Sequence, residues 1–191
     1  MTKDDIISLP NPHLRTKSKK VHVVTDATKQ CISDMTSAAL DWEDSRPHEI
    51  SAALAAVQID CLERVIIIRS DFENKSSRQF TALINPEIVK YEGSVVADYE
   101  GCLSVKKVYG KIPRYTKIRL KALNENGEEI RLKAEGFLAR VIQHEVDHTN
   151  GIVIIDHIKE VTDAFYELDK DGELQPLDYE KDIKDNAELW D

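Results

Sequence analysis

Long apolar runs are missing from this sequence: none approaches the ~18 residues that a membrane-crossing helix needs, so no helical membrane anchor is expected. Bases are in the minority, 26 against 35 acids in 191 residues. That balance argues against a chain-wide nucleic-acid surface, which requires clustered Lys and Arg. Cysteine is scarce and odd in number. Cys31, Cys61 and Cys102 are too widely spaced for a disulfide framework and suit reduced cytosolic thiols, one with a chemical task. The opening residues, Met1 to Ile6, carry neither a basic nor an apolar signal region, so a cytoplasmic rather than secreted protein is expected. Repeats and low-complexity linkers are absent. Glycine is sparse too, with seven in the chain, and this bears on one motif below.

What is present suits one domain with a sizeable core, since 41% of residues are hydrophobic and 32% charged. The formal charge of −9 is unevenly placed. Residues 160–191 hold twelve acids and three lysines, which account for all of it. The expected organisation is therefore a neutral body over residues 1–159 and an acidic C-terminal extension over 160–191.

Proline at positions 10 and 12 predicts an extended N-terminal strap. Thr25 or Asp26 can cap a helix running to about Asp41, with Ile32, Met35, Ala38 and Ala39 on its apolar face. A loop follows from Asp44 to Pro47. The β-branched run 64–69 reads as a buried strand. Further strands are expected at 80–84, stopped by Asn85-Pro86, and at 95–99. The strictly alternating segment 117–123 and segment 129–133 form a hairpin about Asn124–Gly127. Glu135 to about His148 predicts a helix stopped by Asn150-Gly151, and 152–155 a last short strand. The class is α+β.

The helix from Glu135 carries His144-Glu145-Val146-Asp147-His148. Residues four apart share a helical face, so both imidazoles can reach one metal ion, and Glu145 can act as a base on nearby water. Phe137 and Val141 continue that face and would wall a pocket above it. A third ligand is needed. Glu160, Glu167 and His157 lie downstream, and Cys102, whose thiolate suits Fe(II) or Zn(II), lies upstream. A longer zinc-peptidase pattern, with a third His six residues after His148, fails because position 154 is Ile.

Glu100-Gly101-Cys102-Leu103-Ser104, followed by the His144–His148 motif, resembles the peptide deformylase family. Leu9-Pro10-Asn11-Pro12 with Leu14-Arg15, and Leu54-Ala55-Ala56-Val57-Gln58, resemble two further family segments, so the similarity spans about residues 6–160. The resemblance implies small antiparallel or mixed sheets packed around a central helix carrying the histidines. It also implies metal-dependent removal of the formyl group from the N-terminal formyl-methionine of nascent proteins. Cys102, His144 and His148 would hold one divalent metal, Fe(II) in the cell, with Zn, Ni or Co in preparations. Glu145 would be the general base and acid, while Gln58 and the Leu103 backbone N–H would stabilise the oxyanion. Ala52, Ala53, Glu100, Gly101, Tyr109, Phe137, Arg140 and Val141 would bind substrate, the Arg140 stem packing on methionine with its head in water.

Several positions depart from the family pattern. Ser51 and Ala53 stand where glycines are usual, Lys106 where Pro is usual, and Tyr109 where an Arg is common. An endopeptidase on the same histidines, and a binding-only relative that keeps the metal, are the alternatives. In the extension, Glu167, Asp169, Asp171 and Gly172 have calcium-loop spacing, but an Asp-Gly turn is the expected reading. Its large apolar residues predict that the extension docks on the body or on a partner. Its charge disfavours docking on ribosomal RNA and leaves docking by another surface or contact with a basic ribosomal protein.

Overall fold

The apolar run at 64–69 organises the computed structural model, which describes residues 1–46, 49–72, 74 and 76–190. Strand β2 (Val65–Arg69) is buried at every position. It lies between β1 (Ala53–Ala55) and β3 (Phe80–Cys102), and its side chains alternate between two helices. Val65 and Ile67 pack in a core with Ile32, Met35, Ala38 and Ala39 of helix α1 (Asp26–Asp44). Ile66 and Ile68 pack in a second core with Ala139, Val141, Ile142 and Val146 of helix α2 (Gly136–Thr149). A strand covered on both faces needs a continuous apolar run, and this is why it has one.

The α+β class is as expected. The strands join a single seven-stranded sheet in which β3 pairs β4 (Val105–Leu123) and β4 also pairs β5 (Glu129–Glu135) and β6 (Phe165–Leu168). Strand β7 (Leu174–Pro176) pairs β6, and every ladder is antiparallel. The segments 80–84 and 95–99 are parts of one strand, because Asn85-Pro86 makes a bulge rather than a stop. Asn85 takes a left-handed φ of 54°, and its side chain bonds both the N–H and the C=O of Val21.

Helix α1 extends to Asp44, so the expected loop begins one residue later; its last residue, Pro47, lies outside the described residues. Thr25 caps the helix through the Thr28 N–H. Helix α2 ends at Asn150-Gly151 as the sequence predicts. Gly151 has φ 77°, and a Cβ there would stand 2.5 Å from the Arg15 carbonyl oxygen. The strap thus closes over the end of α2. The strand expected at 152–155 is instead a 3-10 turn at Ile154–Ile158. Asp156 accepts from the Val153 N–H, and the neighbouring edge of β4 at Tyr109 and Gly110 is taken by β6.

The C-terminal extension packs on the body. Phe165, Ile183 and Leu189 are buried in a core with Leu14, Val105, Ile112 and Ile155. Trp190 donates to the Ile183 carbonyl at 2.7 Å, and the Tyr179 hydroxyl donates to the Lys159 carbonyl. The calcium-like spacing is the β6–β7 turn: Asp169 accepts from the Asp171 and Glu173 N–H groups, so its carboxylate serves the loop backbone. Phe165→Ala should cost about 3–5 kcal/mol in chemical denaturation. A loss below 1 kcal/mol would mean that the extension contributes little to this core.

Candidate metal centre and its cleft

Three elements converge at one end of α2. Strand β3 ends at Cys102, and the two-residue turn Leu103-Ser104 returns the chain into β4. Helix α2 presents His144 and His148 one turn apart, with ring centroids 5.0 Å from each other. The 3-10 turn Ala56–Ile59 carries Gln58 to the same place. One ligand atom from each of Cys102, His144 and His148 lies within 4.8 Å of the others, the only such cluster of metal-ligating side chains among the described residues. The Cys102 Sγ to His148 Nε2 distance is 3.2 Å.

The donor set suits a divalent transition metal: one thiolate and two imidazoles, with protein ligands short of a closed shell. Burial pushes the Cys102 thiol up, but the His148 and His144 rings outweigh it and hold it down at about 5, a thiolate at neutral pH. Burial opposes charge on His144, yet Cys102 and Glu100 raise its pKa well above the ordinary value. Glu145 is buried, its Oε2 makes no hydrogen bond, and burial raises its pKa. An acceptor left unpaired inside the site is open to a proton-bearing ligand.

Of the other proposed third ligands, Glu160 and Glu167 stand outside the cluster. His157 is also outside it, bound to Asp147 at 2.7 Å.

The orientation of Gln58 is defined by its partners. Its Oε1 accepts from the Ala55 N–H at 2.9 Å, so the amide nitrogen must point into the site. That nitrogen lies 3.1 Å from Ser104 Oγ and 3.8 Å from Cys102 Sγ.

Behind the histidines sits a buried charge network that sequence reasoning missed. Glu100 Oε2 faces His144 Nδ1 at 3.0 Å. Its carboxylate also receives Arg114 through two bonds, at 3.0 and 3.1 Å, and Arg140 Nη1 at 2.8 Å. Arg114 reaches on to Asp147 and thence His157. Against the burial that opposes its charge, His144 and Arg114 hold the Glu100 carboxyl well below the usual range. Both Glu100 oxygens accept within this network, and the residue also lines the cleft described next. One expectation is corrected. The Arg140 head is not in water: it also donates to the Ile112 and Val96 carbonyls, because Glu100 draws it inward.

An open cleft of about 1090 Å³ adjoins the site. Ala52, Ala53, Leu103, Phe137, Val141 and Tyr109 line it, with Glu145 and Cys102 at its floor. Phe137 is 55% exposed and meets Phe72 edge-on at 5.1 Å. Gly101 lies under Tyr109: a Cβ there would fall 2.6 Å from the Tyr109 ring. The phenol in turn donates to Glu49 at 3.1 Å. Ser51 and Ala53 have no left-handed backbone that would require glycine. Ala53 pairs with Ile68, and Ser51 is fixed by Glu43 and Arg69, a buried ion pair.

The chain resembles characterised proteins over most of its length. A sequence model of the family described as polypeptide deformylase matches residues 3–164. Peptide deformylase 2 of Clostridium acetobutylicum is 41% identical over 77% of this chain and 89% of its own. The peptide deformylase of Halothermothrix orenii is 39% identical over 80% of this chain and 92% of its own. Among solved structures, a peptide deformylase from Synechococcus elongatus in complex with actinonin superposes with a TM-score of 0.73. It shares 31% identity over 82% of this chain and 80% of that one. A Met-Ala-Ser complex of the class I type b peptide deformylase from Acinetobacter baumannii superposes with a TM-score of 0.70, at 27% identity over 80% of this chain and 96% of that one.

Glu100→Gln should weaken zinc binding by about 10–100-fold in competition with a chromophoric chelator, because His144 loses its charged partner. Unchanged affinity would show that Glu100 does not orient His144 for a metal.

Proposed function

The chain belongs to the peptide deformylase family, whose metal-dependent hydrolysis removes the formyl group from the N-terminal formyl-methionine of newly synthesised proteins, and we propose how its residues perform that reaction. The observation that carries the reading is the convergence of Cys102, His144 and His148 beside Glu145 and Gln58 at the floor of one cleft. Cys102, His144 and His148 would hold one divalent ion, Fe(II) in the cell, with Zn, Ni or Co able to take its place in preparations. Such an ion, when bound, supplies Lewis acidity to the formyl carbonyl and makes water a usable nucleophile at neutral pH.

The remaining steps belong to the chain. Glu145 takes a proton from the attacking water and hands it to the departing amine. Its burial raises its pKa toward the working range and so favours both halves of that relay. Gln58 and the Leu103 backbone N–H donate to the oxyanion that develops on the formyl oxygen. The amide nitrogen of Gln58 has two hydrogens; Ser104 receives one, and the other, directed at the Cys102 sulfur across a long 3.8 Å contact, is placed to serve the substrate. A carboxylate in its place would repel the developing charge.

The methionine side chain would rest against Phe137, Val141 and Ala52. The following residues would run past Gly101 and Tyr109, where a phenol tied to Glu49 replaces a guanidinium. Substrates are nascent N-formylmethionyl chains in the cytoplasm. Any visit to the ribosome would use another surface or a contact with basic ribosomal protein, since the extension is acidic. Among the described residues no helix is long and apolar enough to cross a membrane.

Formyl-Met-Ala-Ser hydrolysis by metal-loaded protein tests the assignment. Glu145→Ala should retain metal and lose about 10²–10⁴ in kcat. Gln58→Leu should lose about 10²–10³. Wild-type turnover in Glu145→Ala would remove the proton-relay role, and no turnover in the loaded wild type would favour a binding-only protein.

A further inference from the structure

Two of the three cysteines face each other far along the chain. Cys31, on the inner face of α1, and Cys61, just after the turn that carries Gln58, have Sγ atoms 2.8 Å apart. A disulfide bond is about 2.05 Å long, so a further approach of about 0.8 Å would join them. We propose that Cys31 and Cys61 form a reversible dithiol–disulfide couple, a redox modification site separate from the metal centre. Cys102 takes no part, since it faces His148 and Gln58.

The two thiols are unequal in the way the exchange reaction needs. Cys31 is buried and hydrogen-bonded to Cys61, and its pKa is raised. Cys61 is only partly buried. The Cys31 bond and the Glu63 backbone lower its pKa to about 7, against burial and the nearby charges of Glu63 and Asp34. Cys61 is therefore the attacking thiolate and Cys31 the resolving thiol.

With a low-molecular-weight disulfide as oxidant, Cys61 Sγ attacks one of its sulfurs and releases one small thiolate. Cys31 then gives up its proton and attacks Cys61 Sγ, which expels the second small thiol. Two electrons and two protons pass to the oxidant, and one protein disulfide forms. The bond would tie α1 to the segment behind Gln58. Cys61 already anchors that segment by donating its N–H to the Ala56 carbonyl.

The metal-loaded protein should be equilibrated with oxidised and reduced glutathione, quenched in acid, denatured and alkylated. The expected result is two cysteines protected from alkylation, recovered as one peptide pair linking residues 31 and 61. Dithiothreitol should reverse the link. Cys31→Ser should abolish it and leave a glutathione adduct on Cys61, with deformylation of formyl-Met-Ala-Ser unchanged in reduced protein. Three alkylatable cysteines in the wild type at every oxidant ratio would overturn the proposal. So would a stable glutathione adduct on Cys61 without the cross-link. Because the readout is covalent, it is independent of whether the catalytic assignment holds.

Discussion

A buried carboxylate, Glu100, is the constraint on which the site depends. It sits at the end of β3, two residues before Cys102, and accepts from His144 of α2, Arg114 of β4 and Arg140 of α2. One acidic group thus locks the strand that carries the thiol to the helix that carries the imidazoles. Isolated, such a charge could not be buried; with two guanidiniums and an imidazole around it, it can be. The energetic gain of such a network is modest. Its structural effect is to leave the ring of His144 one orientation, with Nδ1 on Glu100 and the other nitrogen toward the site.

Much of this was legible in the sequence because it is local. The spacing of His144 and His148 needs only a helix, and α2 runs from Gly136 to Thr149, as its apolar period and its Asn150-Gly151 stop predict. The run at 64–69 became a strand covered on both faces. Other features were not local. Asn85-Pro86 reads as a stop, yet Asn85 finds partners on Val21 and the strand continues through a bulge. Segment 152–155 has strand composition, but the edge beside it is filled by Phe165 and Tyr166, far along the chain.

The same limit explains the misplaced arginine. Arg140 lies one turn before His144, and its position on the helix suggested a stem against substrate with a solvated head. Its true direction depends on Glu100, forty residues away in sequence and opposite it in space. Likewise, nothing in the residues around Ser51 signals the buried Glu43–Arg69 pair that holds its backbone. That pair accounts for a stretch at Ser51 built without glycine: the backbone there is held by side-chain acceptors and donors rather than by conformational freedom.

One sulfur and two ring nitrogens of this chain are proposed to hold the metal beside Glu145. X-ray absorption at the zinc edge of the zinc-loaded protein tests this assignment most directly. The expected first shell is one sulfur at about 2.3 Å and two nitrogens at about 2.0–2.1 Å, with the sulfur contribution lost in Cys102→Ser. A first shell of nitrogen and oxygen alone in the wild type would contradict it.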